Sequence, residues 1–249
     1  MSEAIEPTLT PMLRKLLYWG KFTPADREAL LALPHVVKTL EPQTHVVREG
    51  DEATHSCVVL SGYAYRHKIV AGGKRQIIAV HMKGDMVDLQ NSMLGKADHG
   101  VQMLTRGEVA MIPRDAVKRL AFANPNIGYA MWMDTLVDGS VFREWIANVG
   151  RRDARTRVAH ILCEFGVRLR VAGLAEQTSY ELPMTQEQLA DAVGLTAVHV
   201  NRTLKELAKD GLIKRTRRSV LIADWKNLVQ AGDFNANYLH LREGEPALA

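Results

Sequence analysis

The chain has 249 residues, 47% of them hydrophobic, enough for two compact domains that build their own cores without disulfide staples. Its two cysteines, Cys57 and Cys163, sit in apolar surroundings and are expected as buried free thiols rather than a disulfide or a metal site. No apolar run reaches membrane-spanning length and the first residues lack the basic–apolar–small order of a signal peptide, so a cytoplasmic protein with no membrane partner is expected.

The net charge of +4 is unevenly spread. Residues 1–150 carry 17 Lys/Arg against 16 Asp/Glu, residues 151–218 carry 13 against 8, and residues 219–249 carry 2 against 4. A basic excess confined to residues 151–218 suits a surface that tracks phosphates.

Leu13 to Leu33 reads as one or two short helices, with Pro24 in a first helical turn after Thr23. From about Val36 to Ile112 the texture is that of short strands, with Cys57–Leu60, Tyr63–Val70, Gln76–Met82 and Glu108–Ile112 rich in β-branched or aromatic residues. Glycines punctuate them, and Gly72–Gly73 is a two-residue hairpin signal. This pattern predicts an antiparallel β-barrel of jelly-roll type. Pro113 closes the strands, and Asp115 to Phe122 is a short helix. Pro125 to Val149 is a longer one, with Met133, Val137, Val141 and Trp145 recurring every fourth residue. That stripe packs either on its own barrel or on a second copy of itself. A long helix leaving a barrel has little of its own to pack against, so these four residues are expected to form a dimer contact.

Asp153 caps a further helix, Ala154 to Val171, which places a hinge at Gly150-Arg151-Arg152-Asp153. Ala172 to Pro183 is expected as a loop. Residues 184–213 then read as two short helices around a tight turn. Thr185 with Gln188 forms a capping box, Gly194 takes the turn, and Thr196 caps a second helix whose inner face is Val200, Leu204 and Leu207. Gly211 ends it. Helix, glycine turn, helix is the layout of a DNA-reading helix-turn-helix. Leu212–Lys214 and Val220–Ile222 flank a basic tip and predict a hairpin wing. Asp224 caps a short final helix, and the residues ending Glu-Pro-Ala-Leu-Ala read as a frayed tail.

A glycine-punctuated barrel, a dimer-like helix and a winged helix-turn-helix, in that order, resemble the cyclic-AMP receptor / fumarate–nitrate regulator (CRP/FNR) family of bacterial transcription factors. The resemblance spans roughly residues 14 to 226. It rests on LADAVGLT at 189–196, VNRTLKEL at 200–207 and DGLI at 210–213. Gly50-Asp51, Gly62, Gly84-Asp85, the hinge Arg152-Asp153 and Arg157-Val158-Ala159 add to it. It implies an α+β chain with a sensory β-barrel domain at 1–124, a dimerisation helix and hinge at 125–150, a winged helix-turn-helix at 151–226 and a C-terminal helix and tail at 227–249. The implied partners are double-stranded DNA, a second copy of the chain and RNA polymerase.

The chain departs from the family where cyclic nucleotides are held. Members that bind them carry Gly-Glu-Leu and then Arg-Ser/Thr-Ala; here the stretches are Met86-Val87-Asp88-Leu89-Gln90 and His99-Gly100-Val101. The phosphate-pairing arginine is missing, with Lys96 and Arg106 as the remaining basic candidates. Two cysteines are too few for the four-cysteine iron–sulfur cluster of the oxygen-sensing branch. His67 and His81 are the candidate axial ligands of the haem-bearing branch. No cofactor is expected, with a haem or small-molecule effector left open and the effector-binding residues unassigned.

The resemblance places Thr196 to Lys205 against the major groove. There Arg202 reaches a base edge and Ala197, Val198 and His199 are the neighbouring base-reading candidates. Thr185, Gln186, Thr196, Asn201, Lys205 and the wing residues Arg215, Arg217 and Arg218 are expected on phosphates. Two rival classes remain. One is a DNA-binding regulator whose barrel binds no ligand and serves dimerisation or protein contact. The other is a metal-dependent, cupin-like enzyme, opposed by the scatter of histidines and by the lack of any nucleophile elbow, P-loop or His-Glu-x-x-His pattern. No catalytic or metal-ligating residue is expected.

Overall fold

The computed structural model describes residues 6–175, 179–216 and 219–242. The described residues divide into two compact units, Met1–Gly73 with Ile78–Asp138, and Lys74–Ile77 with Gly139–Ala249.

The first unit begins with α1 (Thr10–Trp19) and α2 (Pro24–Leu31). Thr23 and Asp26 form a reciprocal capping box at the start of α2, with Pro24 at the first helical position. Seven strands follow: β1 (Val36–Leu40), β2 (His45–Val47), β3 (His55–Ser61), β4 (Ala64–Ile69), β5 (Arg75–His81), β6 (Gly100–Met103) and β7 (Gly107–Pro113), with the short helix α3 (Asn91–Leu94) between β5 and β6. They form two sheets, in the orders β1-β7-β3 and β2-β6-β4-β5, and the registered pairs are antiparallel. The expected two-residue turn at Gly72–Gly73 is instead a five-residue connection from Val70 to Lys74, closed by the Gly73 amide donating to the Val70 carbonyl at 3.0 Å, with Gly72 and Gly73 both at positive φ.

Alternation along β3 and β7 builds two cores from one sheet. Cys57, Val59 and Val109 pack inward with Ala64, Val101 and Met103 of the other sheet. Val58, Ala110 and Ile112 point outward to a second core made with α1, α2, α4 (Arg114–Ala123) and the start of α5 (Pro125–Arg151).

The barrel side also buries charge. Arg66, 1% exposed, donates to the Val87 carbonyl at 2.6 Å and to Asp138 of α5 at 3.0 Å. Burial pushes the Asp138 carboxyl up, but Arg66 and His81 outweigh it and hold it below the ordinary range. Lys15 pairs with Asp85 at 2.9 Å, and the Trp19 indole donates to Asp134 at 3.0 Å, tying α1 to the strands and to α5.

The second unit holds the rest of α5, then α6 (Ala154–Val171), β8 (Ser179–Glu181), α7 (Gln186–Val193), α8 (Ala197–Lys209), β9 (Ile213–Arg215), β10 (Ser219–Ile222), α9 (Trp225–Ala231) and a 3-10 turn at Ala236–Leu239. The three strands order as β8-β10-β9, so the predicted loop between Ala172 and Pro183 contributes a third strand to the wing sheet. Asp153 caps α6 and Asp224 caps α9. The tail residues 243–249 lie outside the described residues.

Helix α5 corrects the expected dimer contact. Met133 and Val137 are half-buried, while Val141 and Trp145 are each 6% exposed and pack inside their own chain. A step of four residues advances about 40° beyond a full helical turn, so three such steps rotate about 120° around the axis. The stripe therefore winds from the surface into the core. The apolar side chains left exposed are Tyr129, Trp132 (66%), Leu136 and Ile146 (72%).

Asp88 lies fully buried, its Oδ1 accepting from the Ser56 hydroxyl at 3.1 Å and the Cys57 amide at 2.9 Å. Burial raises its carboxyl from 3.8 to about 6, against those hydrogen bonds and Arg66. Between pH 3.8 and about 6 the folded state keeps a proton that the unfolded chain releases, so the penalty builds across that window and is fully present above it. Asp88→Asn keeps the acceptor and removes the charge. It is expected to stabilise the fold by up to about 3 kcal/mol at pH 7.5 and by clearly less at pH 5. Urea unfolding of both proteins at the two pH values checks this; equal gains would refute it.

Candidate nucleic-acid interface

The helix-turn-helix forms as its local chemistry dictates. The Thr185 hydroxyl accepts from the Gln188 amide at 3.2 Å and the Gln188 side chain accepts from the Thr185 amide at 2.9 Å. Buried Leu189, Ala190, Ala192 and Val193 hold α7 in the core. Gly194 ends it at φ +65°, and a Cβ there would lie 2.9 Å from Val149 Cγ1. The Arg157 guanidinium donates to the Val193 carbonyl at 3.2 Å and to the Arg152 carbonyl at 2.7 Å. A cation at the C-terminal end of α7 is favourably placed against the helix dipole.

Thr196 caps α8 by accepting from the His199 amide. Val200, Thr203, Leu204 and Leu207 are buried, which fixes the rotation of the helix and turns Val198, Arg202 and Lys205 outward. These three positions, four and then three residues apart, line one face. Val198 is 82% exposed. Arg202 Nε lies 3.9 Å from Glu206 Oε1 across one helical turn, with both side chains exposed. Such a pair contributes only about 0.3–0.5 kcal/mol, too little to hold the guanidinium back from another acceptor.

Thr185 and Thr196 are exposed caps, Lys205 and Arg215 are exposed, and Ala197, His199, Asn201 and Gln186 are half-buried. Arg217 and Arg218, expected at the wing tip, lie outside the described residues.

In the first unit, the segment corresponding to the family's phosphate-holding stretch packs into both cores, Met86 and Leu89 into the one with the helices and Val87 into the one between the sheets. Met86, Val87, Asp88 and Asn91 are buried. His99 stands at the expected arginine position, 2.5 Å from Asp98 and 3.5 Å from Gln90. Burial and nearby Arg66 lower its pKa despite Asp98, which favours the uncharged ring. Neither basic substitute enters the barrel: Lys96 is exposed, and Arg106 pairs at the surface with Glu41 at 3.0 Å. The basic group that does enter is Arg66, which the sequence reading passed over. His67 is buried beside Tyr65 and His45, with Gly100 packed against its ring, and His81 is buried near Asp85. Among the described residues no group of three or more His, Cys, Asp or Glu could hold a metal ion, and no helix is long and apolar enough to cross a membrane.

An antiparallel β domain followed by a long helix and a winged helix-turn-helix with an outward basic face defines a DNA-binding transcription regulator. Residues 37–124 match the cyclic nucleotide-binding domain, and residues 156–231 match the Crp-like helix-turn-helix domain. The chain is 26% identical to the transcriptional activator protein FnrL of Cereibacter sphaeroides, over 84% of this chain and 86% of the relative. It is 25% identical to the nitrogen fixation regulation protein FixK of Azorhizobium caulinodans, over 81% and 79% of the two chains. The solved structure of FixK2 from Bradyrhizobium japonicum shares the fold, with a TM-score of 0.74 at 22% identity, covering 80% of this chain and 98% of that one. The chain belongs to the CRP/FNR family of transcription regulators, not to an enzyme family.

Gly194→Ala forces a left-handed alanine and crowds Val149. A destabilisation of about 1–2 kcal/mol or more is expected from the backbone alone. Thermal unfolding measures it, and a variant as stable as the parent would show that the turn does not need glycine.

Proposed function

We propose that the protein binds a palindromic operator as a homodimer, α8 of each copy entering the major groove with half-sites about 10 bp apart centre to centre. The observation that carries this reading is the outward strip Val198–Arg202–Lys205 on a helix whose opposite face is locked into the core. Arg202 donates two hydrogen bonds to a guanine edge. Val198, with Ala197 beside it, offers apolar contact to a thymine methyl, and His199 donates to a base or phosphate. Thr185, Gln186, Thr196, Asn201, Lys205 and Arg215 set register on the phosphates.

The dimer seam is the exposed face of α5. Tyr129, Leu136 and Arg143 are seven residues apart, as are Trp132, Gly139 and Ile146, which is the spacing of a two-helix seam. Membership of the family supports action on RNA polymerase once the dimer is bound. The first unit acts as a sensor for an unidentified signal, with no cofactor assigned to it. The buried thiols of Cys57 and Cys163, both pushed up by burial, are poor metal ligands. A second reading, in which this unit binds no ligand and serves dimerisation or protein contact, is favoured by the buried 86–91 segment with Arg66 bonded to the Val87 carbonyl. Thermal-shift screening against nucleotides, haem and small anions separates the two, since a ligand of the folded state raises its melting temperature.

Arg202→Ala is expected to cost about 1–3 kcal/mol in binding and to relax preference at one base of each half-site. If selection from random DNA returned the parent motif for the variant, Arg202 would not be reading a base. Leu136→Glu is expected to shift the sedimenting species to a single chain of 27.8 kDa. A variant that still sediments at twice that mass places the seam elsewhere.

A further inference from the structure

Residues 232–240 follow the matched helix-turn-helix domain, which ends at 231, and fold back over the second half of α5 and over α6. Their contacts reach three places. His240 Nε2 lies 3.2 Å from Ser140 Oγ on α5. Asp233 accepts from Arg152 at the break between α5 and α6, and Arg152 also pairs with Glu144 of α5 at 2.7 Å. Gly232 sits so close to α6 that a Cβ would lie 2.8 Å from the His160 amide nitrogen.

Tyr238 is the centre of this arrangement. Its hydroxyl donates to Glu164 Oε2 at 2.8 Å and lies 3.1 Å from His160 Nε2. Its ring stacks on the His160 ring, with centroids 5.9 Å apart and planes 18° apart. The other nitrogen of His160 is 3.1 Å from the Gly232 carbonyl, and Phe234 packs edge-on against the same ring. Glu164, 2% exposed, takes a third element into the cluster by accepting from the Trp145 indole of α5 at 2.9 Å. Arg168, one turn further along α6, also pairs with Glu164 at 3.4 Å, and a buried carboxylate so surrounded holds its donors in one geometry, because each hydrogen bond lost leaves an acceptor oxygen short of a partner.

Helix α6 packs on both α7 and α8, so within the second unit the joint between the 139–151 part of α5 and α6 carries the reading helix. We propose that residues 232–240 form a strap that sets the spacing between the two half-sites, with Tyr238 as its positioning residue. This rests on the dimer reading above: when α5 pairs with its copy, a small rotation at the α5–α6 joint is carried to both reading helices and changes their separation.

The test uses a series of palindromes with identical half-sites and spacers varied one base pair at a time. Binding is measured for the full chain, for Tyr238→Phe and for a chain ending at Gly232, with thermal melting confirming that each is folded. The full chain is expected to prefer one spacer by at least about tenfold over its neighbours, the scale of a lost base contact. Both variants are expected to select the same half-site but to flatten that preference to about threefold or less. Tyr238→Phe keeps the ring stack and removes only the hydroxyl, so it decides the question if the shortened chain does not fold. A variant that keeps the parent's spacer profile, or loses affinity by one factor at every spacer, overturns the strap. A full chain that selects a single half-site with no symmetric partner overturns the dimer reading and the strap together.

Discussion

Helix α5 has to satisfy two packing demands along one axis. Ile127, Ala130 and Met131 complete the core formed with α1, α2 and α4, and Val141 and Trp145 are buried further along the same helix. Its other side keeps Tyr129, Trp132, Leu136 and Ile146 in solvent. Polar residues are placed where the two faces meet α1 and the strands: Asp134 takes the Trp19 indole of α1 and Asp138 takes Arg66 of β4. The rotation of the helix about its axis is therefore set internally, before any second chain is involved. That rotation decides which side chains a partner can meet.

The reading motif was legible because each of its devices is written locally. Thr185 and Gln188 are three residues apart, Gly194 sits at the turn it makes possible, and Val200, Leu204 and Leu207 recur at helical spacing. The helical winding that misled at Val141 and Trp145 is equally simple, but a regular step of four looks like a straight stripe in the sequence. Strands β3 and β7, buried on both faces, stood out as apolar runs. Strand β1 is mostly exposed and β2 and β8 have three residues each, so neither composition nor length marked them. The Tyr238–Glu164 bond joins residues 74 apart, and no local pattern announces it.

The barrel shows a different limit. The sequence revealed that an arginine was missing where a cyclic phosphate would be held. It did not reveal that another, Arg66 on β4, points inward and spends its donors on Val87 and Asp138. An arginine in a strand of mixed polarity reads as a surface residue. Here it ties the strand to the segment 86–91 and to α5, so the position of that segment is coupled to the helix by charge-assisted hydrogen bonds.

The helix caps divide by chemistry. Those of α2, α6 and α9 depend on Asp26, Asp153 and Asp224, whose carboxyls are each held below the ordinary range, Asp26 chiefly by Asn126 and the other two by the backbone amides they cap. Their contribution is present near neutrality and fades as pH falls through those lowered values. The two helices of the reading motif are capped by Thr185 with Gln188 and by Thr196, none of which titrates in that range. Acid thus loosens the supporting helices while leaving the starts of α7 and α8 chemically unchanged. The starts of the two reading helices are held by groups whose hydrogen bonding acid leaves alone.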